Sequence, residues 1–286
     1  MNKIKTILEM IKFEHTVFAL PFAFLGAALG GLMINGSWPS IADWIWITLA
    51  MFGARSAAMT LNRLIDAEID ARNPRTETRA IPAGDVSRGQ AILFVLGSFF
   101  VLFIAAFQLN MLAVYLLPIP VFFMTLYSYT KRFTWLCHVF LGITIGIAPL
   151  GGWVGVTGTL QPEAFLLFTA VAMWIGGFDI IYATQDAEYD KRVGLNSIPA
   201  CFGIAKALYI SRGFHLVSLI SLLALYLLSP LSWFYLIGLA AAAAIMIYEH
   251  SLVKPYDLSK VGVAFFPMNG IISIVILVFT LGDILM

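Results

Sequence analysis

Nine runs of mostly apolar residues, each about 20 long, fill most of this chain. They lie near 15–34, 42–62, 89–107, 111–130, 135–155, 163–183, 207–228, 231–249 and 263–283. A run of that length crosses the hydrocarbon core of a bilayer as an α-helix, the form in which each backbone group is paired within its own segment. Breaks such as Gln108-Leu109-Asn110 and Ser229-Pro230 leave room only for a turn between antiparallel neighbours. Composition agrees. Hydrophobic residues make up 60% of the 286 residues and charged residues 12%, against about 45–50% and 25% in a soluble domain. The expected fold class is therefore an all-α membrane protein of about nine transmembrane helices. With no linker or low-complexity tract, 1–286 reads as a single domain. Lys3, Lys5 and Lys12 precede the first run as in a signal peptide, but no small-residue cleavage site and soluble domain follow, so this run reads as an uncleaved span. Cys137 and Cys201 show no ligand or pairing pattern and read as free thiols.

The charges set an orientation. Lys and Arg number 17. With the N-terminus cytoplasmic, all of them fall on the cytoplasmic side or in the cytoplasmic half of a span, while the opposite connections near 35–41, 108–110, 156–162 and 229–230 hold none. This positive-inside asymmetry predicts a multi-pass protein of the cell (inner) membrane. The net charge of +1 points to no nucleic-acid partner.

The long cytoplasmic connections follow the second and sixth spans, and each is entered through a ladder of carboxylates. The first reads Asn62-Arg63-Leu64-Ile65-Asp66-Ala67-Glu68-Ile69-Asp70; the second reads Tyr182-Ala183-Thr184-Gln185-Asp186-Ala187-Glu188-Tyr189-Asp190. At four-residue spacing, Asn62, Asp66 and Asp70 share one helical face with about 40° of drift per step, as do Asp186 and Asp190. Arg55 and Asp179 lie two turns deeper on the same faces, inside the membrane region. Both connections contain Ile-Pro-Ala, at Ile81-Pro82-Ala83 and Ile198-Pro199-Ala200, a weak repeat of parallel sense.

Like-charged carboxylates four apart repel, and a bound cation removes that cost. Mg²⁺ suits such oxygen donors, because it takes one or two carboxylates, keeps waters and completes its shell with phosphate oxygens. Arg72, Arg75 and Arg79 follow the first ladder, Lys131 and Arg132 lie on a short connection, and Lys191 and Arg192 follow the second ladder. Arg forks match phosphate geometry and Lys supplies a point charge. Carboxylates for a metal, cations for phosphate and apolar helices behind them describe a site for a diphosphate with a hydrophobic tail.

Charges at helix ends also occur merely as solvated loop faces, which is the better account of Glu68, Glu77, Glu188 and Lys206. It fails for Arg55 and Asp179, since a charge at the bilayer centre costs roughly 2.5–3.5 kcal/mol on insertion scales and belongs in a polar cavity. His15, His138, His215 and His250 show no ligand spacing; His15, at the cytoplasmic end of the first span, is a candidate contact for an acceptor. A secondary transporter is the competing class, since midplane charges and repeats mark transporters too. Here, however, the ladders sit at helix ends and the repeat is not inverted.

In combination, Asn62-x-x-x-Asp66-x-x-x-Asp70 with Arg75-Thr-x-x-Arg79, Tyr-Ser-Tyr-Thr-Lys-Arg at 127–132, and Tyr182-x-x-x-Asp186-x-x-x-Asp190 resemble the UbiA superfamily of intramembrane aromatic prenyltransferases. The likeness spans essentially the whole chain. It implies nine helices around a central cavity, capped on the cytoplasmic side by loops 2–3 and 6–7, and an enzyme of quinone biosynthesis. That enzyme would use polyprenyl diphosphate, Mg²⁺ and a small aromatic acid, 4-hydroxybenzoate or a dihydroxynaphthoate. By resemblance, Asn62, Asp66, Asp70, Asp186 and Asp190 hold the diphosphate through Mg²⁺, Arg79 and Lys131 hold it directly, and Arg55 is a polar position of the cavity. The opening Lys12-Phe13-Glu14-His15-Thr16, continuing to Ala19-Leu20-Pro21, is similar to the menaquinone-pathway branch that uses a dihydroxynaphthoate. A related transferase with another acceptor, such as a macrocycle, is an alternative to which no residue can be tied.

Overall fold

In the computed structural model, residues 6, 10, 11 and 19–286 are described. Lys3, Lys5, Lys12, His15 and the start of the first apolar run lie outside them. Nine long helical segments follow among the described residues: α1 Leu20–Asn35, α2 Ile41–Ile65, α3 Arg88–Leu109, α4 Met111–Thr130, α5 Cys137–Thr157, α6 Pro162–Ala183, α7 Ile204–Leu228, α8 Trp233–Leu252 and α9 Val261–Leu285. Seven of these are long and apolar enough to cross a membrane, α6 together with its continuation to Val193; α1 is shorter, and α2 carries Asp43, Arg55 and Arg63. The bundle is a multi-pass membrane fold.

Local sequence explains where the helices begin. Ser40 and Ser87 are capping boxes: their hydroxyls accept from the backbone N–H of Asp43 and Gln90, whose side chains accept from the capping residues in return. Asn110 turns the tight corner into α4, accepting from Ala113 N–H at 2.9 Å. Its amide also donates to Val154 O and Gly155 O at 2.7 and 2.9 Å, tying that corner to α5. Pro162 opens α6, where its missing N–H is no loss.

The helices pack α1 on α5, α5 on α6, α6 on α7, α2 on α3 and α8 on α9. Small residues make the closest crossings. A side chain at Gly142 or Gly152 would collide with the backbone of Ala172 on α6 or Ala23 on α1. Between apolar helices in lipid there is no hydrophobic drive to associate, so such close backbone approach supplies the packing energy. Outward-facing Leu93, Phe100, Leu216, Leu227 and Ile247 are exposed. Lipid, not water, is the solvent in which that surface is stable.

The unbroken helical face expected for each carboxylate ladder is corrected by the structure. α2 stops at Ile65, Asp66 takes φ −90°, ψ 2°, and the short helix Ala67–Asp70 starts anew. α6 stops at Ala183, a 3₁₀ turn covers Thr184–Asp186, Asp186 takes φ −99°, ψ 0°, and the short helix Ala187–Val193 follows. The first Asp of each ladder thus occupies the same bridge-region conformation, one enriched at active sites. The parallel repeat inferred from Ile-Pro-Ala reappears as a matched backbone break at the same end of the bundle.

Candidate active site

α2, α4, α5 and α6 enclose a cavity of about 1170 Å³, larger than the usual pocket for a drug-sized ligand. At one end lie Asn62, Asp66, Asp70, Arg75, Arg79, Lys131, Tyr182, Asp186 and Asp190. From there it runs past Arg55 and Asp179 between apolar walls to Leu109 and Leu160, beside the opposite connections.

At the polar end each carboxylate of the first ladder meets its own cation. Asp66, 1% exposed, receives Lys131 Nζ at 2.6 Å and Arg132 at 3.2 Å. Asn62 Nδ2 donates to the same carboxylate at 3.1 Å and lies 3.4 Å from Ser128 Oγ. Asp70, 4% exposed, accepts from Arg79 with both oxygens at 2.7 Å. Arg63, which sequence reasoning passed over, is buried and reaches toward Asn62 Oδ1 at 3.5 Å.

The two halves join through Arg75. From the first connection it forms a two-pronged pair with Asp186 of the second ladder, Nε at 2.8 Å from Oδ1, and donates to the Tyr182 hydroxyl at 3.2 Å. Burial alone would lower the Arg75 pKa, but Asp186 outweighs burial and holds it above its ordinary value. Tyr189 OH donates to Ile69 O at 3.2 Å, a second tie between the ladders. Asp190 accepts from Ser197 Oγ at 2.9 Å.

Deeper in, Arg55 of α2 and Asp179 of α6 both line the cavity, as their spacing on the two faces requires. Asp179 Oδ2 lies 2.7 Å from Nδ1 of His138, a buried histidine of α5 that spacing alone did not single out. Three other expected site residues fall elsewhere. Arg72 and Lys191 are exposed and do not line the cavity. Arg132 lines a separate small cleft with Glu68 and Arg88, and reaches the site from there through Ile65 O at 2.7 Å and Asp66 at 3.2 Å.

Among the described residues, no three acidic, histidine or cysteine side chains converge as a ready-made metal cage. That arrangement still fits Mg²⁺, whose sites use one or two carboxylates and leave the other positions to water and phosphate oxygens. The donors here are oxygens of Asp66, Asp70, Asp186 and Asp190, with hard character throughout. Cations that match carboxylate oxygens at 2.6–2.8 Å also match phosphate oxygens, so the same side chains suit a diphosphate.

Comparison with known proteins agrees with this geometry. The model of the UbiA prenyltransferase family matches residues 19–271. A 4-hydroxybenzoate octaprenyltransferase of Tolumonas auensis is 31% identical over 222 residues, covering 76% of this chain and 75% of the relative. That of Aliivibrio salmonicida is 30% identical over 257 residues, covering 89% and 88%. Among solved structures, the apo structure of a UbiA homolog from Aeropyrum pernix superposes with a TM-score of 0.85 at 32% identity, over 95% of this chain and 98% of that one. A UbiA homolog from Archaeoglobus fulgidus bound to GPP and Mg²⁺ shares the fold, with a TM-score of 0.77 at 19% identity over 98% and 100% of the two chains. A bundle of nine long helical segments among the described residues, two facing carboxylate ladders and a family match over most of the chain lead to one conclusion: the protein belongs to the UbiA prenyltransferase family and is a membrane-embedded prenyltransferase.

Proposed function

We propose that the protein transfers a polyprenyl group from polyprenyl diphosphate to a small aromatic hydroxy acid, with Mg²⁺ as cofactor and the ladders facing the cytoplasm. The observation that carries this reading is the joining of the two ladders by Arg75 over an elongated apolar cavity. The curated relatives named above act on 4-hydroxybenzoate, and a solved member of the fold binds a prenyl diphosphate with Mg²⁺.

Arg75, Arg79 and Lys131 hold the diphosphate, with Arg132 steadying Asp66. Asp66, Asp70, Asp186 and Asp190, with Asn62 orienting Asp66, would hold Mg²⁺. When bound, the ion supplies Lewis-acid neutralisation of the leaving diphosphate. The prenyl tail extends along the apolar walls toward Leu109 and Leu160. Arg55 serves as counter-ion for the acceptor's carboxylate, next to the first allylic carbon. The preorganised cations stabilise the charge that develops as the allylic C–O bond loosens, and the lipid-embedded walls keep water from capturing the carbon centre.

The test is prenyl transfer by purified protein in detergent with Mg²⁺ and a radiolabelled long-chain prenyl diphosphate. 4-Hydroxybenzoate and 1,4-dihydroxy-6-naphthoate are offered separately. A prenylated product with one of them identifies the acceptor. Bound diphosphate with no product from either overturns the acceptor class.

A further inference from the structure

We propose that Asp179 takes the proton that the acceptor ring loses, and that His138 is the positioning residue that keeps Asp179 aimed; this rests on the aromatic acceptor proposed above. His138 is 3% exposed and sits at the start of α5, with Asp179 Oδ2 2.7 Å from its Nδ1. Its other ring nitrogen, Nε2, lies 3.3 Å from the backbone nitrogen of Ile198. A backbone N–H can only donate, so Nε2 is the acceptor and Nδ1 carries the proton. The imidazole therefore directs its Nδ1–H at Asp179 Oδ2, a contact that fixes how the carboxylate is turned. One oxygen of Asp179 is engaged in this way, which leaves the other on a side chain that lines the cavity.

The location suits the task. Asp179 stands two helical turns deeper than Asp186, away from Lys131, Arg75 and Arg79, and shares the cavity with Arg55. A ring placed by Arg55 would lie within the same part of the cavity. In the reaction the allylic C–O bond breaks and its electron pair leaves with the diphosphate. A ring carbon supplies the pair for the new C–C bond. The C–H bond at that carbon then breaks, its electrons restore aromaticity, and the proton goes to the second oxygen of Asp179. Ile198 belongs to the second Ile-Pro-Ala, so the connection that follows the diphosphate ladder also fixes the base.

The experiment compares wild type, Asp179→Asn, His138→Leu and His138→Gln. Each is assayed with the acceptor that wild type prenylates, in ring-protonated and ring-deuterated forms. Binding of the prenyl diphosphate is measured alongside to establish that each variant is folded. Asp179→Asn is expected to lower kcat by about 10²-fold or more, the usual contribution of a positioned base, and to reveal a primary isotope effect absent from wild type. His138→Leu lowers kcat in the same way with the acceptor KM little changed. His138→Gln restores most of the rate, because its amide can donate to Asp179 and accept from Ile198. An Asp179→Asn variant that keeps wild-type kcat, or loses activity only through KM with no isotope effect, overturns the assignment of the base. A Gln variant as impaired as the Leu variant overturns the positioning role. Failure of wild type to prenylate any aromatic acid is a different result, and refutes the acceptor reading itself.

Discussion

Two carboxylates of the first motif, Asp66 of the ladder and the solvated Glu68, stand two residues apart and should respond in opposite ways to loss of charge. Asp66 is 1% exposed and holds Lys131 at 2.6 Å, Arg132 at 3.2 Å and Asn62 at 3.1 Å. Removing one member of a fully buried pair costs about 3–5 kcal/mol, whereas an exposed pair is worth about 0–1. Lys131 and Arg132 keep 30% and 35% of their side-chain surface, so both can rehydrate, and Asp66→Asn should cost about 1–2 kcal/mol of stability. The catalytic loss is larger. An electrostatic contact aimed at developing charge contributes about 10²–10³ in kcat, or about 2.7–4 kcal/mol. Glu68, paired with Arg88 at 3.2 Å, is 76% exposed against 63% for its partner. Glu68→Gln should therefore cost at most about 1 kcal/mol and leave turnover intact. Thermal unfolding in detergent and prenyl transfer at saturating substrate read both quantities. Wild-type turnover in Asp66→Asn, or equal losses in the two variants, would refute the assignment of the ladder.

Three further outcomes follow from the same geometry. Gly142→Leu drives a side chain into the Ala172 backbone and should destabilise the bundle by about 1–3 kcal/mol or more, seen as a lower unfolding temperature; unchanged stability would show that α5 and α6 do not pack so closely. Chelation of divalent cations should reduce prenyl transfer to background and added Mg²⁺ should restore it, while full activity in excess chelator would remove the metal from the site. In sealed inside-out membrane vesicles, a membrane-impermeant thiol reagent should label Glu77→Cys and spare Thr159→Cys in a background lacking Cys137 and Cys201; the reverse pattern would invert the orientation.

The spans and their order were legible because a bilayer helix is specified by length and hydropathy alone, and among the described residues the nine apolar runs became nine long segments whose described ends moved by only a few residues. The ladders were legible because four-residue spacing places side chains on one face. Their interruption was not. No Gly or Pro marks Asp66 or Asp186, and a bridge-region residue between two helical stretches has no strong composition signal. The partners of the ladders were hidden for another reason. Arg75 and Asp186 are 111 positions apart and His138 and Asp179 are 41 apart, so their meeting depends on the path of the connection for the first pair and on how each helix is rotated about its axis for the second. Hydropathy says little about rotation when a helix is apolar all round. The usable signal for His138 was its cost: a histidine inside an apolar run demands a buried partner, and Asp179, in the next span, was an intramembrane carboxylate able to supply one. The same reasoning applies to Asn269, which receives Trp174 Nε1 on its oxygen at 2.7 Å and donates to buried Glu249 at 3.1 Å.

The repeat is parallel in backbone but unequal in what its halves do. Asp66 and Asp186 share one conformation, yet Asp66 gathers Lys131 and Arg132 while Asp186 binds Arg75 from the opposite half. Ile81 of the first Ile-Pro-Ala packs with Met10 and Val86 beneath its own connection. Ile198 of the second reaches His138, and through it Asp179. On the proposed reading, this asymmetry separates two demands that one set of residues would serve poorly. A diphosphate needs cations crowded around it, whereas a base needs to stand apart from the cations that hold the leaving group. Lys131 and Arg79 stand at the mouth with the ladders, and Asp179 stands two turns below them. A transporter has no need of that separation, since it must release its cargo unchanged. An enzyme that ionises one substrate and deprotonates the other does.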